Sequence, residues 1–404
     1  MEMETAHAAL LIAGGLALAA IAAGTLAARL GTPILLVFLG LGMLAGEDGP
    51  GGIRFDDFGL TYMAGSVALV VVLIEAGLKT SVAAVRRVLR PALGLATVGV
   101  AVTTVTVAAA AVAFGGLSWP TGLLMGALVA PTDAGAVATV LRASRLRIPP
   151  RISDTLEVES GINDPVSVFL TVLFVDLLAN PHGATVGHAA RLLAIGMGGG
   201  AALGLAAGWA LRVGMARLHG SEGLRPVLLL AGGLAVFGLA QMIEASGFLA
   251  VYLAAVVVGE GEGETGHATG LAATFDGFAW VAQIGLSLLL GLLVTPHDLL
   301  PHLGGALLLA ATLMLVARPL AALLCLAPFG FSWREIAFIG WVGLRGGVPL
   351  YLAIVPVLAR IAQGQAAFSV AFVIVLLSLA VQGWTVAPVA RRLCVERRAP
   401  AETQ

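Results

Sequence analysis

Uncharged apolar stretches long enough to cross a membrane recur from one end of the chain to the other. Residues 95–114, LATVGVAVTTVTVAAAAVAF, run for twenty positions without one ionisable group. Twenty helical residues rise about 30 Å, the thickness of a bilayer's hydrocarbon core. Over the 404 residues only 11% are charged and 59% are hydrophobic, whereas an ordinary soluble domain is about 25% charged. A soluble fold cannot hide that much apolar surface. In lipid, each backbone N–H and C=O must be satisfied within its own segment, so the fold class is an all-α polytopic membrane protein. The connections between runs are short and leave no place for a soluble domain. Cys325 and Cys394 lack metal-binding spacing and read as apolar fillers. The acidic start, MEMETAH, is unlike the basic start of a cleaved signal peptide, so the first span is expected to be retained.

The runs divide into about thirteen spans, at 7–28, 33–46, 60–78, 90–114, 119–141, 152–179, 188–212, 224–244, 247–259, 275–294, 303–327, 333–358 and 366–390. Segments 33–46 and 247–259 are short enough to be half-spans. Positive charge supplies an independent test. Of 22 Lys and Arg, seventeen fall in the odd-numbered connections and the C-terminal tail, from Arg29 and Lys79 to Arg397 and Arg398. Arg54, Arg191 and Arg360 fall on the other side, and Arg318 and Arg345 fall inside spans. Cytoplasmic loops carry the excess of Lys and Arg, which puts the N-terminus outside and the C-terminus, with its short tail 391–404, in the cytoplasm. The acidic connection GEGEGETGH (259–267) is a mild exception.

Ionisable residues inside spans are costly and are candidates for function. Here they are Glu75, Asp133, Glu159, Asp164, Arg318 and Arg345, with Asp176 and Glu244 nearer span ends. In ALVAPTDAGAVATVL (127–141), Pro131 lacks an N–H and disfavours helix at the residue before it. The span is expected to break there, with Thr132 or Asp133 capping its second half. The break is either a capped kink or, in addition, a cation site lined by freed carbonyls and the Thr132 hydroxyl. A second break is expected in GWVGLRGGVPLYLAI (340–354), where Gly346, Gly347 and Pro349 flank Arg345. The breaks lie seven spans apart and so run in opposite orientations, as in an inverted repeat of two six-span halves. Paired interrupted helices in matching halves point to a secondary transporter with its site at the midplane.

EVESGINDPVSVFL (157–170) puts carboxylates at the head of an apolar helix. On a helix Ser160 lies near Asp164 and Glu159 near Asn163, and Pro165 leaves the Gly161 carbonyl without a donor. Hard oxygens of this kind suit Na⁺ or K⁺. A lone buried arginine is prohibitive, so Arg318 and Arg345 need partners. Glu159 and Glu75 are the candidates, and the expected pairs are Arg318 with Glu159 and Arg345 with Glu75. Asp164 and Asp133 then remain as the acidic groups without a basic partner; with Asp133 used as a cap, the expected cation ligands are Asp164, Thr132 and Ser160.

These segments resemble the monovalent cation/proton antiporter family, NhaP-type branch. The resemblance rests on LIEAGLKT (73–80), APTDAGAV (130–137), ESGINDPVSVFL (159–170), SGFLAVYLAAVVVG (246–259), WVAQIGLSLLLGLLVTP (280–296), GLRGGVPLYLA (343–353) and LSLAVQGWTVAPVARRL (377–393), and it covers about residues 8–395. The wording is nearest the bacterial potassium/proton antiporter subgroup. Members of that subgroup often continue into a cytosolic domain, which is not expected here. The resemblance implies an NhaP-like antiporter fold with two crossed broken helices, an ion-translocating core and a dimerisation panel, and a homodimer. The core is expected at about 60–179 and 275–395. It implies Asp164 as the cation- and proton-binding carboxylate, Asn163 beside it, Thr132 and Asp133 at the crossing, Glu159 and Ser160 at the site, and Arg318 and Arg345 in buried pairs. An Asn-Asp pair in this family goes with electroneutral exchange.

The expected function is exchange of Na⁺ or K⁺ for H⁺ by alternating access in a bacterial inner membrane, with lipid as surroundings and no cofactor or nucleic acid. A sodium-coupled symporter of an organic anion would want more Ser, Asn or Gln at the crossing. A cation channel would want repeated polar faces along its spans. No enzyme motif occurs, and all seven histidines, from His7 to His302, fall in tails or loops.

Overall fold

The computed structural model describes residues 2–30, 32–144, 146–181, 185–218, 223–265 and 268–393. Arg145, His182, His219, His267, Cys394, Arg397, Arg398 and the tail beyond 393 lie outside these residues. The described chain is helical nearly throughout. Its helices are α1 (Glu2–Leu30), α2 (Ile34–Ala45), α3 (Phe58–Lys79), α4 (Val82–Gly115), α5 (Trp119–Val129), α6 (Ala134–Ala143), α7 (Pro150–Ala179) and α8 (Gly187–Ala216). They continue as α9 (Leu224–Met242), α10 (Gly247–Thr265), α11 (Ala268–Leu292), α12 (Pro296–Phe329), α13 (Trp333–Trp341), α14 (Gly347–Leu358) and α15 (Gly364–Arg392).

A helix underlies each expected apolar run, but length does not establish thirteen crossings. Among the described residues nine helices are long and apolar enough to cross a membrane, and the pair α5–α6, bent by 41°, makes ten. α2, α14 and the apolar part of α10 are shorter; a 12-residue helix rises only about 18 Å. Several boundaries differ from expectation; α11 and α12 each begin seven residues early, at Ala268 and Pro296. α4 begins at Val82, where the Ser81 side chain accepts from the Ala84 N–H, and its first turns are too arginine-rich for an apolar reading to include. α10 runs on to Thr265, through most of the stretch read as a connection.

π-helical turns interrupt four of the long helices, at Leu95–Gly99 in α4, Ala194–Gly199 in α8, Leu313–Ala317 in α12 and Ser378–Gln382 in α15. Such turns often sit at functional sites. The helices gather into two bundles. In one, α3 lies along α10 and α11, α11 along α2, and α8 and α9 along α10. In the other, α4 and α5 pack on α7, α12 on α13, and α14 on α15. Small residues let backbones approach in the first bundle: a Cβ at Gly204 of α8 would sit 2.5 Å from the Ala250 carbonyl of α10. The bundles meet where α3 and α11 touch α14 and where α10 touches α7.

Candidate ion-binding site

The site is built on two breaks that cross. α5 stops at Val129 and α6 starts at Ala134. Pro131 cannot continue the ladder, and Asp133 caps α6 by accepting from the Ala136 N–H at 2.9 Å. α13 stops at Trp341 and α14 starts at Gly347. The two unwound segments join where the Asp133 N–H donates to the Leu344 carbonyl at 2.8 Å. They lie so close that a Cβ on Gly346 would stand 2.1 Å from Asp133 Oδ2 and would displace the capping carboxylate.

Arg345 corrects one expectation. Its Nη1 donates to the Ala130 carbonyl and, at 2.7 Å, to the Pro131 carbonyl. These oxygens lie at the C-terminal end of α5, where unpaired carbonyls and the helix dipole are negative. Among the described residues no ion pair joins Arg345 to Glu75. Glu75 pairs instead with Lys79, one turn on, and Lys79 also meets Asp276 of α11 at 2.8 Å. The guanidinium's partners are backbone oxygens, which free the carboxylate expected for it. Arg318 is set against Glu159, its Nη1 and Nη2 each donating to one carboxylate oxygen, the second at 2.9 Å. Both side chains are buried.

The second break is held by residues that the sequence reading did not single out. The Arg345 N–H donates to Ser378 Oγ at 3.1 Å, Ser378 donates to Gln382 Oε1 at 2.6 Å, and Gln382 Nε2 donates to the Trp341 carbonyl at 2.7 Å. Ser378 and Gln382 bound the π-turn of α15. A serine and a glutamine four apart inside an apolar span were the available signal.

α7 brings the opening motif to the crossing. Ser160 Oγ donates to the Thr132 carbonyl at 2.7 Å and accepts from the Ala134 N–H at 3.3 Å. Asn163 Nδ2 donates to Thr132 Oγ1 at 2.7 Å. Asp164 follows, and its Oδ1 has no hydrogen-bond partner among the described residues. Gly161 faces Tyr252 of α10, where a Cβ would come within 2.6 Å of the ring.

A cavity of about 840 Å³ opens beside this cluster. Asp164, Thr132, Asp133 and Ser160 line it, together with Glu75 and Glu157. Glu159 and Asn163 do not, since they project from other faces of α7; five residues along a helix is a turn of about 140°. From Asp164 the lining reaches Arg142, Arg147 and Ser153 in one direction and Tyr351 and Phe248 in another. Its walls are apolar, including Leu69, Leu73, Val168 and Leu286. The arrangement offers one carboxylate oxygen without a protein partner, a threonine and a serine hydroxyl, and several backbone carbonyls.

Comparison with known proteins places the chain in a family. The chain is 43% identical to a protein named K⁺/H⁺ antiporter NhaP2 from Shewanella sp. (strain ANA-3), over 98% of this chain and 69% of that one. It is 43% identical to the K⁺/H⁺ antiporter NhaP of Alkalimonas amylolytica, over 98% of this chain and 68% of that one. The solved structure of the sodium proton antiporter MjNhaP1 from Methanocaldococcus jannaschii superposes with a TM-score of 0.82, covering 95% of this chain and 99% of that one at 23% identity, and thus shares the fold. The family model described as sodium/hydrogen exchanger, transmembrane, matches residues 16–392. The chain belongs to the sodium/hydrogen exchanger family.

Proposed function

We propose that this protein exchanges a monovalent cation for H⁺ across the membrane, and that Asp164 binds either one in turn. The observation that carries the reading is a carboxylate, Asp164, that lines a cavity beside two crossed helix breaks and whose buried Oδ1 has no protein partner. A bare carboxylate away from bulk water is costly, and a proton or a cation relieves that cost. One carboxylate takes one or the other. If only the occupied site crosses between the two sides, antiport follows with no further machinery.

Thr132 and Ser160 supply the neighbouring oxygens for the cation. Asp133 is spent as a cap, and Glu159 is held by Arg318. Asn163 stands where a second carboxylate would add a charge and anchors Thr132 instead, which favours exchange of one H⁺ for one cation. Moving an uncompensated charge costs about 2.3 kcal/mol per 100 mV, and a neutral cycle avoids it. The relatives named above as K⁺/H⁺ antiporters make K⁺ the first cation to test.

The cavity reaches Arg142 and Arg147 on the arginine-rich side, which supports an inward-facing arrangement with that side in the cytoplasm. The packing favours a division other than 60–179 and 275–395. α3 and α11 belong with the bundle of α2 and α8–α10, and the moving core is α4–α7 with α12–α15. A homodimer built on the first bundle completes the proposal. In everted vesicles with K⁺, Na⁺ and Li⁺ compared side by side, the wild type should dissipate a pH gradient and Asp164→Asn should not, with any of the three cations. Retained exchange by that variant would remove Asp164 from its role.

A further inference from the structure

We infer that Tyr351 and Ser66 form a latch that holds the two bundles together on the outer side of the ion site, and that breaking their hydrogen bond is part of opening the site to the outside. This rests on the alternating-access reading above. Tyr351 lies on α14 one turn beyond the second break, in the direction that the topology assigns to the outside. Its ring stacks on Tyr62 of α3, with centroids 5.0 Å apart and planes at 15°. Phe248 of α10 meets it edge-on at 5.8 Å. Tyr351 and Phe248 both line the cavity that holds Asp164, so this aromatic cluster closes it opposite Arg142 and Arg147.

The hydroxyl makes the closure specific. Ser66 Oγ donates to the Tyr62 carbonyl at 2.8 Å, which uses its one proton. The 2.8 Å contact between Tyr351 Oη and Ser66 Oγ therefore has tyrosine as donor. Tyr351 is 1% exposed and Ser66 8%, so in the closed arrangement no solvent competes with the bond, and a hydroxyl that loses its partner there is costly. It is a buried side-chain hydrogen bond that joins the two bundles. Gly65 makes room for the ring, since a Cβ there would be 2.8 Å from Tyr351 Cδ2. α14 cannot part from α3 without losing the stack and the hydrogen bond together.

The test uses the full chain with Cys325→Ala and Cys394→Ala, plus Val168→Cys, a cavity-lining position one turn past Asp164. Labelling by a membrane-impermeant maleimide is timed in right-side-out and in inverted vesicles. Ser66→Ala and Tyr351→Phe should each raise labelling from the outside, roughly 2- to 12-fold, and the double variant by clearly less than the product of the two, because the two side chains share one bond. Unchanged outside labelling, or a double variant whose effect is the product of the two singles, overturns the latch. If Val168→Cys is labelled from the inside but never from the outside in any background, the alternating-access reading fails instead. Inside labelling also shows that each variant is folded.

Discussion

Arg318 and Glu159 are both buried and joined by two hydrogen bonds, so removing either leaves a charge with no partner. Glu159→Ala or Arg318→Ala should each destabilise the protein by about 3–5 kcal/mol, and the double variant should lose less than the sum; thermal unfolding in detergent checks both. At the surface, Asp48 in the loop before α3 accepts from the His297 backbone N–H at 2.8 Å and faces its ring Nδ1. That contact holds the Asp48 carboxyl below the ordinary carboxylate range, chiefly through the backbone hydrogen bond. Because the folded-state value is depressed, the stabilisation is present above the ordinary range and is lost as pH falls through the depressed value. The melting temperatures of wild type and Asp48→Asn should therefore differ at neutral pH and converge in acid. A difference that stays constant with pH would dismiss the contact. At this scale charge was the readable feature. That Arg318 and Arg345 need partners follows from their place in apolar spans. That Arg345 is satisfied by the carbonyls of Ala130 and Pro131 could not be read, because every residue carries a carbonyl and only the crossing brings these two to it.

Among elements, the broken helices were legible because proline and glycine act locally: Pro131 ends α5, and Gly346 with Gly347 opens α14. What the crossing demands of Gly346 was not legible. Its contact is with Asp133, more than two hundred positions away, and only the assembled fold shows that a Cβ would strike the capping carboxylate. Gly346→Ala should displace Asp133 from its cap, worth about 0.5–2 kcal/mol, and should lower exchange in vesicles at least about tenfold, the equivalent of about 1.4 kcal/mol. Wild-type exchange by this variant would mean that the crossing tolerates separation. The π-turns escaped the reading because apolar windows average over single extra residues. Ser378 and Gln382 escaped with them, although their polarity inside a span marks the support they give to the second break.

In the whole molecule the cluster around Asp164 lies beside the place where two bundles meet. Hydrophobicity marks the apolar runs, but how the helices group depends on packing that no single run encodes. α3 and α11 were read as part of the core and pack with the opposite bundle. With Asn163 beside Asp164, changing the membrane potential in proteoliposomes at fixed cation concentrations should leave the cation/H⁺ exchange rate unchanged; a clear voltage dependence would mean unequal charge movement per cycle. On the proposed reading, proton and cation compete for one carboxylate. The half-saturating cation concentration, measured in proteoliposomes at equal pH on both sides over a range of pH, tests it most directly. On the acid side it should rise about tenfold for each unit fall in pH while the maximal rate stays constant. A half-saturating concentration independent of pH, or a maximal rate that falls with added protons, would contradict a shared site.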